Sequence, residues 1–159
     1  FLLAGSGYRT ELPAHKFVAK TVGYEVISLQ TVPQRNWLGK PVVNKDSGWP
    51  DSFFYDIDLA ISVLREDLIA WCPKAFTKES QAIVHALPLD KIEVSLAEAK
   101  KAFACNLVST GETVVMSGTA PNFKAAIEAK GLRTITPEIT ELVKGGGYIR
   151  CTTLTLDNV

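Results

Sequence analysis

The order of short segments along this sequence constrains its fold more than any other feature. Alternating apolar, β-branched and aromatic residues predict strands at 1–4, 25–29, 52–66, 68–71, 91–94, 106–108, 113–116, 133–135 and 152–156. Helical spacing of apolar residues predicts helices at 11–22, 77–87, 96–102, 122–130 and 137–143. The order strand–strand–helix–strand recurs loosely about twice, and each ββαβ unit needs neighbours to bury its apolar faces. The sequence therefore predicts an α/β protein.

Residues at the segment ends support these boundaries. Thr10 and Thr77 are predicted N-caps, while Gly23 and Gly131 are predicted to stop the helices that they follow. A turn at 110–111 is expected to join the strands 106–108 and 113–116 as a hairpin.

Length and composition limit the classes of protein that the chain can represent. With 159 residues, the chain is predicted to form one domain over 1–159. Seventeen basic residues balance seventeen acidic ones, which argues against a nucleic-acid surface, and no apolar run is long enough to cross a membrane. Three widely spaced cysteines without a CxxC pair predict neither a zinc site nor disulfides. We therefore expect a cytoplasmic protein without metal or cofactor, with Cys72 and Cys105 in the core.

The segment 33–52 interrupts the regular order of strands and helices. It contains three prolines, two glycines and two tryptophans, and it is long for a loop in a compact domain. We interpret 33–52 as an inserted loop, of the kind that forms a lid or a disordered insertion.

The segment 144–156, KGGGYIRCTTLTL, places a run of glycines shortly before Cys151. Glycines let other groups approach the backbone closely, so Gly146 and Gly147 are predicted to contact a small molecule bound at this loop. An accessible cysteine at the start of a strand could serve as a nucleophile if it ionises to the thiolate. The structural alternative is that Cys151 is a small buried apolar residue and that the glycines only end a helix.

Two aspartates form a second candidate feature, within the predicted strand 52–66. On a strand, Asp56 and Asp58 would point to one face with a spacing of about 6.6 Å. Their burial would be costly without a cation between them, and a guanidinium group would satisfy both carboxylates. The alternative is an exposed acidic edge strand.

A third feature is the segment 5–10, GSGYRT, which leads into the first predicted helix. A glycine-rich turn with an arginine at the start of a helix can hold a carboxylate or a phosphate, and Arg9 is the candidate residue here.

These three segments, in this order, resemble the guanidino-group modifying superfamily, which includes arginine deiminases, dimethylarginine dimethylaminohydrolases and amidinotransferases. The resemblance extends over nearly the whole chain and includes further family-like segments such as 103–106, 114–116 and 125–128. It implies that Cys151 is the nucleophile, that Arg9 binds the substrate carboxylate and that Asp58 binds the guanidinium.

The resemblance also implies a fold, a five-bladed α/β propeller of ββαβ modules, of which this chain would supply about three in the C-terminal part. The family's catalytic acid would then lie upstream of Phe1, and an N-terminal chain or segment would complete the ring. A homodimer is a further candidate assembly.

The family's general acid/base histidine is replaced here by Asp56. Asp56 would handle protons, because a neighbouring carboxylate such as Asp58 raises its proton affinity. His15 and His85 fall within predicted helices and are interpreted as solvated or partly packed residues.

Three functions follow from the resemblance. The first is hydrolysis of the guanidino group of arginine or a methylated or related arginine, through a covalent cysteine intermediate. The second is amidino transfer to an amine by the same cysteine. The third is a catalytically degenerate protein that binds guanidines.

Overall fold

The computed structural model describes residues 1–46, 48–154 and 156 of the chain, and these residues form a mixed α/β fold. The strands are β1 (Leu2–Ser6), β2 (Val26–Gln30), β3 (Ile61–Arg65), β4 (Leu68–Trp71), β5 (Asp90–Glu93), β6 (Val108–Ser109), β7 (Thr113–Val115) and β8 (Arg133–Ile135). The helices are α1 (Leu12–Val22), α2 (Lys78–Ala86), α3 (Leu96–Lys101) and α4 (Pro121–Ala129). Short 3₁₀ helices occupy Ile57–Leu59, Pro73–Ala75, Leu142–Gly145 and Arg150–Thr152.

The sheets repeat one topology. In the sheet β3-β4-β5, β3 pairs antiparallel with β4 and β4 pairs parallel with β5. The sheet β6-β7-β8 has the same order and directions, and β1 pairs parallel with β2. With α1, α2 and α4 following in sequence between the parallel strands, the described part of the chain contains two ββαβ modules and one βαβ module, which confirms the predicted α/β class.

The chain divides into two compact units. The first contains Phe1–Ala60 and Pro73–Leu87, and its core includes Leu29, Phe54, Leu59, Phe76 and Val84. The second contains Ile61–Cys72 and the described residues that follow Leu87, and its core includes Leu64, Ile69, Trp71, Met116 and Ile127. The expectation of one domain over 1–159 stays a prediction.

The helix ends follow from local hydrogen bonds. The Thr77 hydroxyl accepts the Ser80 N–H and caps α2, as predicted. Gly23 ends α1 in the left-handed region at φ 72°, also as predicted, but the N-cap of α1 is Glu11 rather than Thr10. The start of α4 is capped from another helix, because the Glu98 carboxylate of α3 accepts the backbone N–H groups of Asn122 and Phe123.

The predicted strand 52–66 is wrong over its first half, since a strand forms only at Ile61–Arg65. The Ser52 hydroxyl donates to the Val32 carbonyl and accepts the Phe54 N–H, so side-chain hydrogen bonds replace a strand ladder there. The residues after Tyr55 then turn into the 3₁₀ helix Ile57–Leu59.

Two predictions near the end of the chain are also wrong. The predicted helix 137–143 is absent, and a 3₁₀ turn forms later, at Leu142–Gly145. The predicted strand 152–156 is absent from its described residues, and position 155 lies outside them. The hydroxyls of Thr152 and Thr153 donate to the Ile149 carbonyl, and such local bonds favour a turn over a strand.

The loop 33–52 is folded back on itself in its described part. Backbone hydrogen bonds run from Gln34 N–H to the Asp51 carbonyl, at 2.7 Å, and from Asn44 N–H to the Trp49 carbonyl, at 2.8 Å. Trp37 is 90% exposed. The structure therefore shows an internally hydrogen-bonded loop, and its role as a lid stays a prediction.

Among the described residues, no helix has the length and apolar character that a membrane crossing requires.

Candidate active site

Asp56 and Asp58 line one cavity of the first unit, with a volume of about 230 Å³. Gly5, Thr31 and Tyr55 are among its other lining residues. The predicted geometry of the two aspartates is wrong, because Asp56 precedes the 3₁₀ helix and Asp58 lies within it. A 3₁₀ helix has three residues per turn, so residues two apart do not share a face as they would on a strand. Both aspartates nevertheless line the same cavity, and their binding of a guanidinium stays a prediction.

Arg9 pairs with Asp56 in this unit. Arg9 Nη1 lies 3.1 Å from Asp56 Oδ2, and the guanidinium carbon lies 4.3 Å from the centre of the Tyr55 ring. Both charged side chains are solvent-accessible, at 65% and 37% exposure, so the ion pair contributes at most about 1 kcal/mol. A ligand carboxylate could therefore replace Asp56 at Arg9 at small cost.

A second cavity of the first unit, of about 900 Å³, is lined by Arg9 and by residues of the inserted loop. The loop residues Trp49 and Asp51 line this cavity, and so does Tyr8. Burial raises the pKa of Tyr8, against opposing effects of a hydrogen bond with Ser52 and the charge of Arg35. The phenol therefore stays protonated and available as a donor at neutral pH.

Gly5 fixes the position of the aspartate-bearing turn. A Cβ atom at Gly5 would lie 2.8 Å from Ile57 Cβ, closer than real side chains approach. Glycine at this point of β1 therefore lets Ile57, and with it Asp56 and Asp58, pack directly against the strand.

Cys151 lies in the second unit, in the 3₁₀ helix Arg150–Thr152, and it is exposed. This position corrects the expectation of a strand start but supports the requirement for an accessible sulfur. The Asn106 side-chain amide donates to Cys151 Sγ with an Nδ2–Sγ distance of 3.3 Å. The sulfur is thus accessible to solvent and is bonded to a polar donor.

Asn106 also organises the backbone around the cysteine. Its Oδ1 accepts the N–H groups of Tyr148, at 3.0 Å, and Cys151, at 3.4 Å, although the Asn106 residue is only 1% exposed. The sequence interpretation did not assign Asn106 a role. Its signal was a single amide side chain within the otherwise apolar run 103–108.

The glycines of the loop contribute in different ways. A Cβ atom at Gly147 would lie 2.7 Å from Cys151 Cβ and 2.9 Å from its Sγ, so the backbone at 147 packs directly on the cysteine side chain. Gly146 adopts φ 87° and ends the preceding 3₁₀ turn, where its N–H donates to the Val143 carbonyl. Contact of either glycine with a substrate stays a prediction.

The two histidines lie on helices in the first unit. His15 is buried on α1, where its ring nitrogens bond Ser28 Oγ at 2.7 Å and the Gly5 carbonyl at 2.9 Å. It thereby ties α1 to β1 and β2, which gives it a structural role. His85 is exposed near the end of α2. No group of three or more His, Cys, Asp or Glu side chains suited to a metal ion occurs within 1–46, 48–154 and 156.

The α/β fold repeats a ββαβ topology, two aspartates line one cavity, and an exposed cysteine accepts a hydrogen bond from an amide side chain. These are the features expected of a protein of the guanidino-group modifying type. The chain belongs to the family described as N,N dimethylarginine dimethylhydrolase, eukaryotic, which matches residues 2–157. This confirms the resemblance found in the sequence.

Similar proteins agree with this family. The chain is 36% identical over 153 residues to the N(G),N(G)-dimethylarginine dimethylaminohydrolase of Mycobacterium tuberculosis, covering 96% of this chain and 44% of that protein. It is 27% identical, with a TM-score of 0.79, to the product-bound N-terminal domain of ArgZ, a cyanobacterial arginine dihydrolase, covering 96% and 50% of the two chains. A variant of the same ArgZ domain, covalently bound to a reaction intermediate, gives a TM-score of 0.77 at 26% identity and covers 94% and 48%. The chain thus spans about half the length of these relatives.

Proposed function

We propose that this protein hydrolyses the guanidino group of arginine or of a methylated arginine through a covalent intermediate on Cys151. The observation that carries the proposal is the family match over residues 2–157. It is supported by a dimethylarginine dimethylaminohydrolase and an arginine dihydrolase among the relatives, and by the relative bound covalently to a reaction intermediate. The exposed Cys151 sulfur with its amide donor supplies the required nucleophile in this chain.

The reaction proceeds by two displacements at the guanidino carbon. The thiolate of Cys151 attacks this carbon and forms an S–C bond, and the C–N bond to the amino or methylated amino group breaks as that nitrogen takes a proton. Water then adds to the same carbon, the S–C bond breaks, and a ureido product leaves with the thiol restored. Each step needs one proton transfer, which this proposal assigns to the carboxyl group of Asp56.

Four residues besides Cys151 and Asp56 bind the substrate in this proposal. Asp58 binds the guanidinium, and Arg9 binds the substrate carboxylate once that carboxylate replaces Asp56 as its partner. Asp56, released from Arg9, handles protons. Gly146 and Gly147 contact the bound substrate beside Cys151. The support for these roles is the shared cavity of the aspartates and the exposed Arg9–Asp56 pair.

The test is turnover of arginine and of mono- and dimethylated arginine, with the ureido product and the released amine both quantified. We expect Cys151→Ala to abolish turnover, because the variant lacks the sulfur that forms the proposed intermediate. Cys72→Ala is the matched control, since it removes a buried sulfur and should keep turnover. Undiminished turnover by Cys151→Ala contradicts the proposal.

A second candidate function is guanidine binding without turnover. The observation that favours it is Asp56, which stands where family members use a histidine and which is bound to Arg9. Calorimetric binding of arginine without product formation would select this function. Product formation only when an acceptor amine is added would select the amidinotransferase alternative instead.

The assembly belongs to the same proposal. We expect the two ββαβ units and the βαβ unit to be part of a five-bladed propeller, completed by an N-terminal segment or chain, with a homodimer as a second assembly. The support is that the relatives are about twice as long as this chain. The mass in gel filtration, alone and with a candidate partner chain, tests this assembly, and a cytoplasmic location stays a prediction.

A further inference from the structure

Asn106 makes an unusual set of contacts with the segment that carries Cys151. The residue is 1% exposed and lies just before β6, and three of its polar atoms bond residues 148–151. Its backbone carbonyl accepts the Arg150 N–H at 3.4 Å, while its side chain bonds Tyr148 and Cys151. One buried residue thus serves both the backbone and the sulfur of the proposed nucleophile.

The orientation of the Asn106 amide follows from its partners. Two backbone N–H groups, those of Tyr148 and Cys151, point at the same side-chain atom. Only the carbonyl oxygen can accept both, so the amide nitrogen must take the opposite position. That position is 3.3 Å from Cys151 Sγ, where the N–H group donates to the sulfur.

We propose that Asn106 is a positioning residue that holds Cys151 in place and favours its thiolate by donating an N–H hydrogen bond to Sγ. This inference rests on the proposed function, in which Cys151 attacks the guanidino carbon. A donor to sulfur stabilises the charged thiolate more than the neutral thiol. Asn106 therefore holds the sulfur in one position and offsets the negative charge that the sulfur carries when it attacks.

A purely structural role would use only the oxygen of Asn106, and the variant Asn106→Asp separates the two roles. The aspartate keeps an oxygen for the N–H groups of Tyr148 and Cys151, but it replaces the N–H donor next to the sulfur with a second oxygen that shares a negative charge. Asn122→Asp is the matched control, because it makes the same chemical change at an exposed position in the first turn of α4.

The measurement is the rate at which iodoacetamide labels Cys151. Trypsin cleaves after Arg150, so the Cys151 peptide is separated from those of Cys72 and Cys105 and can be quantified by mass spectrometry. At neutral pH we expect Asn106→Asp to slow labelling by at least about tenfold, because one hydrogen bond to a charged group is lost and the new carboxylate repels the thiolate. The rates of variant and wild type should converge at high pH, where ordinary thiols ionise. Asn122→Asp should label at the wild-type rate.

A wild-type labelling rate in a folded Asn106→Asp protein overturns the proposal. If that variant fails to fold, the wild-type protein decides by nitrogen–proton NMR. The side-chain amide resonances of Asn106 should move over the pH range in which the ultraviolet absorbance of the Cys151 thiolate rises. Resonances that stay fixed over this range overturn the proposal.

These outcomes are independent of the proposed function. Labelling and NMR need no substrate, so absent guanidine turnover in the wild type would reject the hydrolase and leave the role of Asn106 standing. If turnover is present, we expect Asn106→Asp to lower kcat with little change in KM, because the residue acts on the nucleophile and not on substrate binding.

Discussion

At the scale of single residues, Gly147 allows the closest approach in the cysteine loop. We expect Gly147→Ala to lower turnover by about a hundredfold, because the added methyl group displaces the Cys151 side chain from its productive position. Steady-state turnover and the iodoacetamide labelling rate both report this displacement. Gly145→Ala is the control, since a Cβ atom at Gly145 meets open space. Equal activity of the two variants contradicts the prediction.

Asp56 allows a test in which activity is gained. We expect Asp56→His to raise turnover by about a hundredfold, the lower part of the range for general acid–base catalysis, because imidazole exchanges protons near neutral pH. The change also removes the carboxylate that binds Arg9. Initial rates of product formation measure the effect.

Asp51→His is the control for Asp56→His, since Asp51 lines the larger cavity, whereas Asp56 forms the ion pair with Arg9. Turnover that stays at the wild-type level in Asp56→His would show that position 56 does not handle protons.

The residues of the candidate site were predictable to different degrees. Cys151, Asp56, Asp58 and Arg9 could be found because charged or nucleophilic side chains next to glycines and aromatic residues are conspicuous. Asn106 was visible only as a single amide within an apolar run, because its contacts come from the donors that the folded loop directs at it from 148 and 151. Sequence spacing carries no information on such a contact.

At the scale of elements, α2 provides a pH-dependent contribution to stability. Hydrogen bonds to its own backbone N–H and to the Thr77 side chain, with a smaller effect of the Lys78 charge, lower the pKa of Glu79 in the first turn. Since the folded pKa is depressed, the stabilisation is present above the unfolded pKa and is lost as pH falls through the folded pKa. We expect Glu79→Gln to be less stable than wild type at neutral pH and to match it in acid.

Urea unfolding at several pH values measures this difference in the free energy of unfolding. A difference that stays constant from neutral pH to acid would mean that the Glu79 charge contributes nothing to α2.

The elements themselves were predicted well where local signals act alone. The hairpin of β6 and β7 turns at Gly111, which adopts φ 88°, and α2 begins at its Thr77 cap, both as predicted. The segment 52–60 failed because its aromatic, strand-like composition is overridden by the Ser52 hydrogen bonds and by the packing of Ile57 on Gly5. Both causes depend on partners outside the segment, the Val32 carbonyl and Gly5.

At the scale of the whole molecule, protection of Cys151 by a substrate tests the guanidinium-binding role proposed for Asp58. We expect arginine to slow the labelling of Cys151 by iodoacetamide, and Asp58→Asn to remove this protection because the guanidinium loses its carboxylate. Asp46→Asn, an exposed aspartate of the inserted loop, is the control and should keep the protection. Protection that persists in Asp58→Asn would assign guanidinium binding to another residue.

The contact between Asn106 and Cys151 joins positions that are 45 residues apart in the chain. During synthesis, Cys151 therefore has no amide partner until the hairpin of β6 and β7 and the turn at Arg150–Thr152 have met. The hydrogen bond to the sulfur is consequently a property of the finished tertiary structure, and it is lost whenever either of the two segments leaves its folded position.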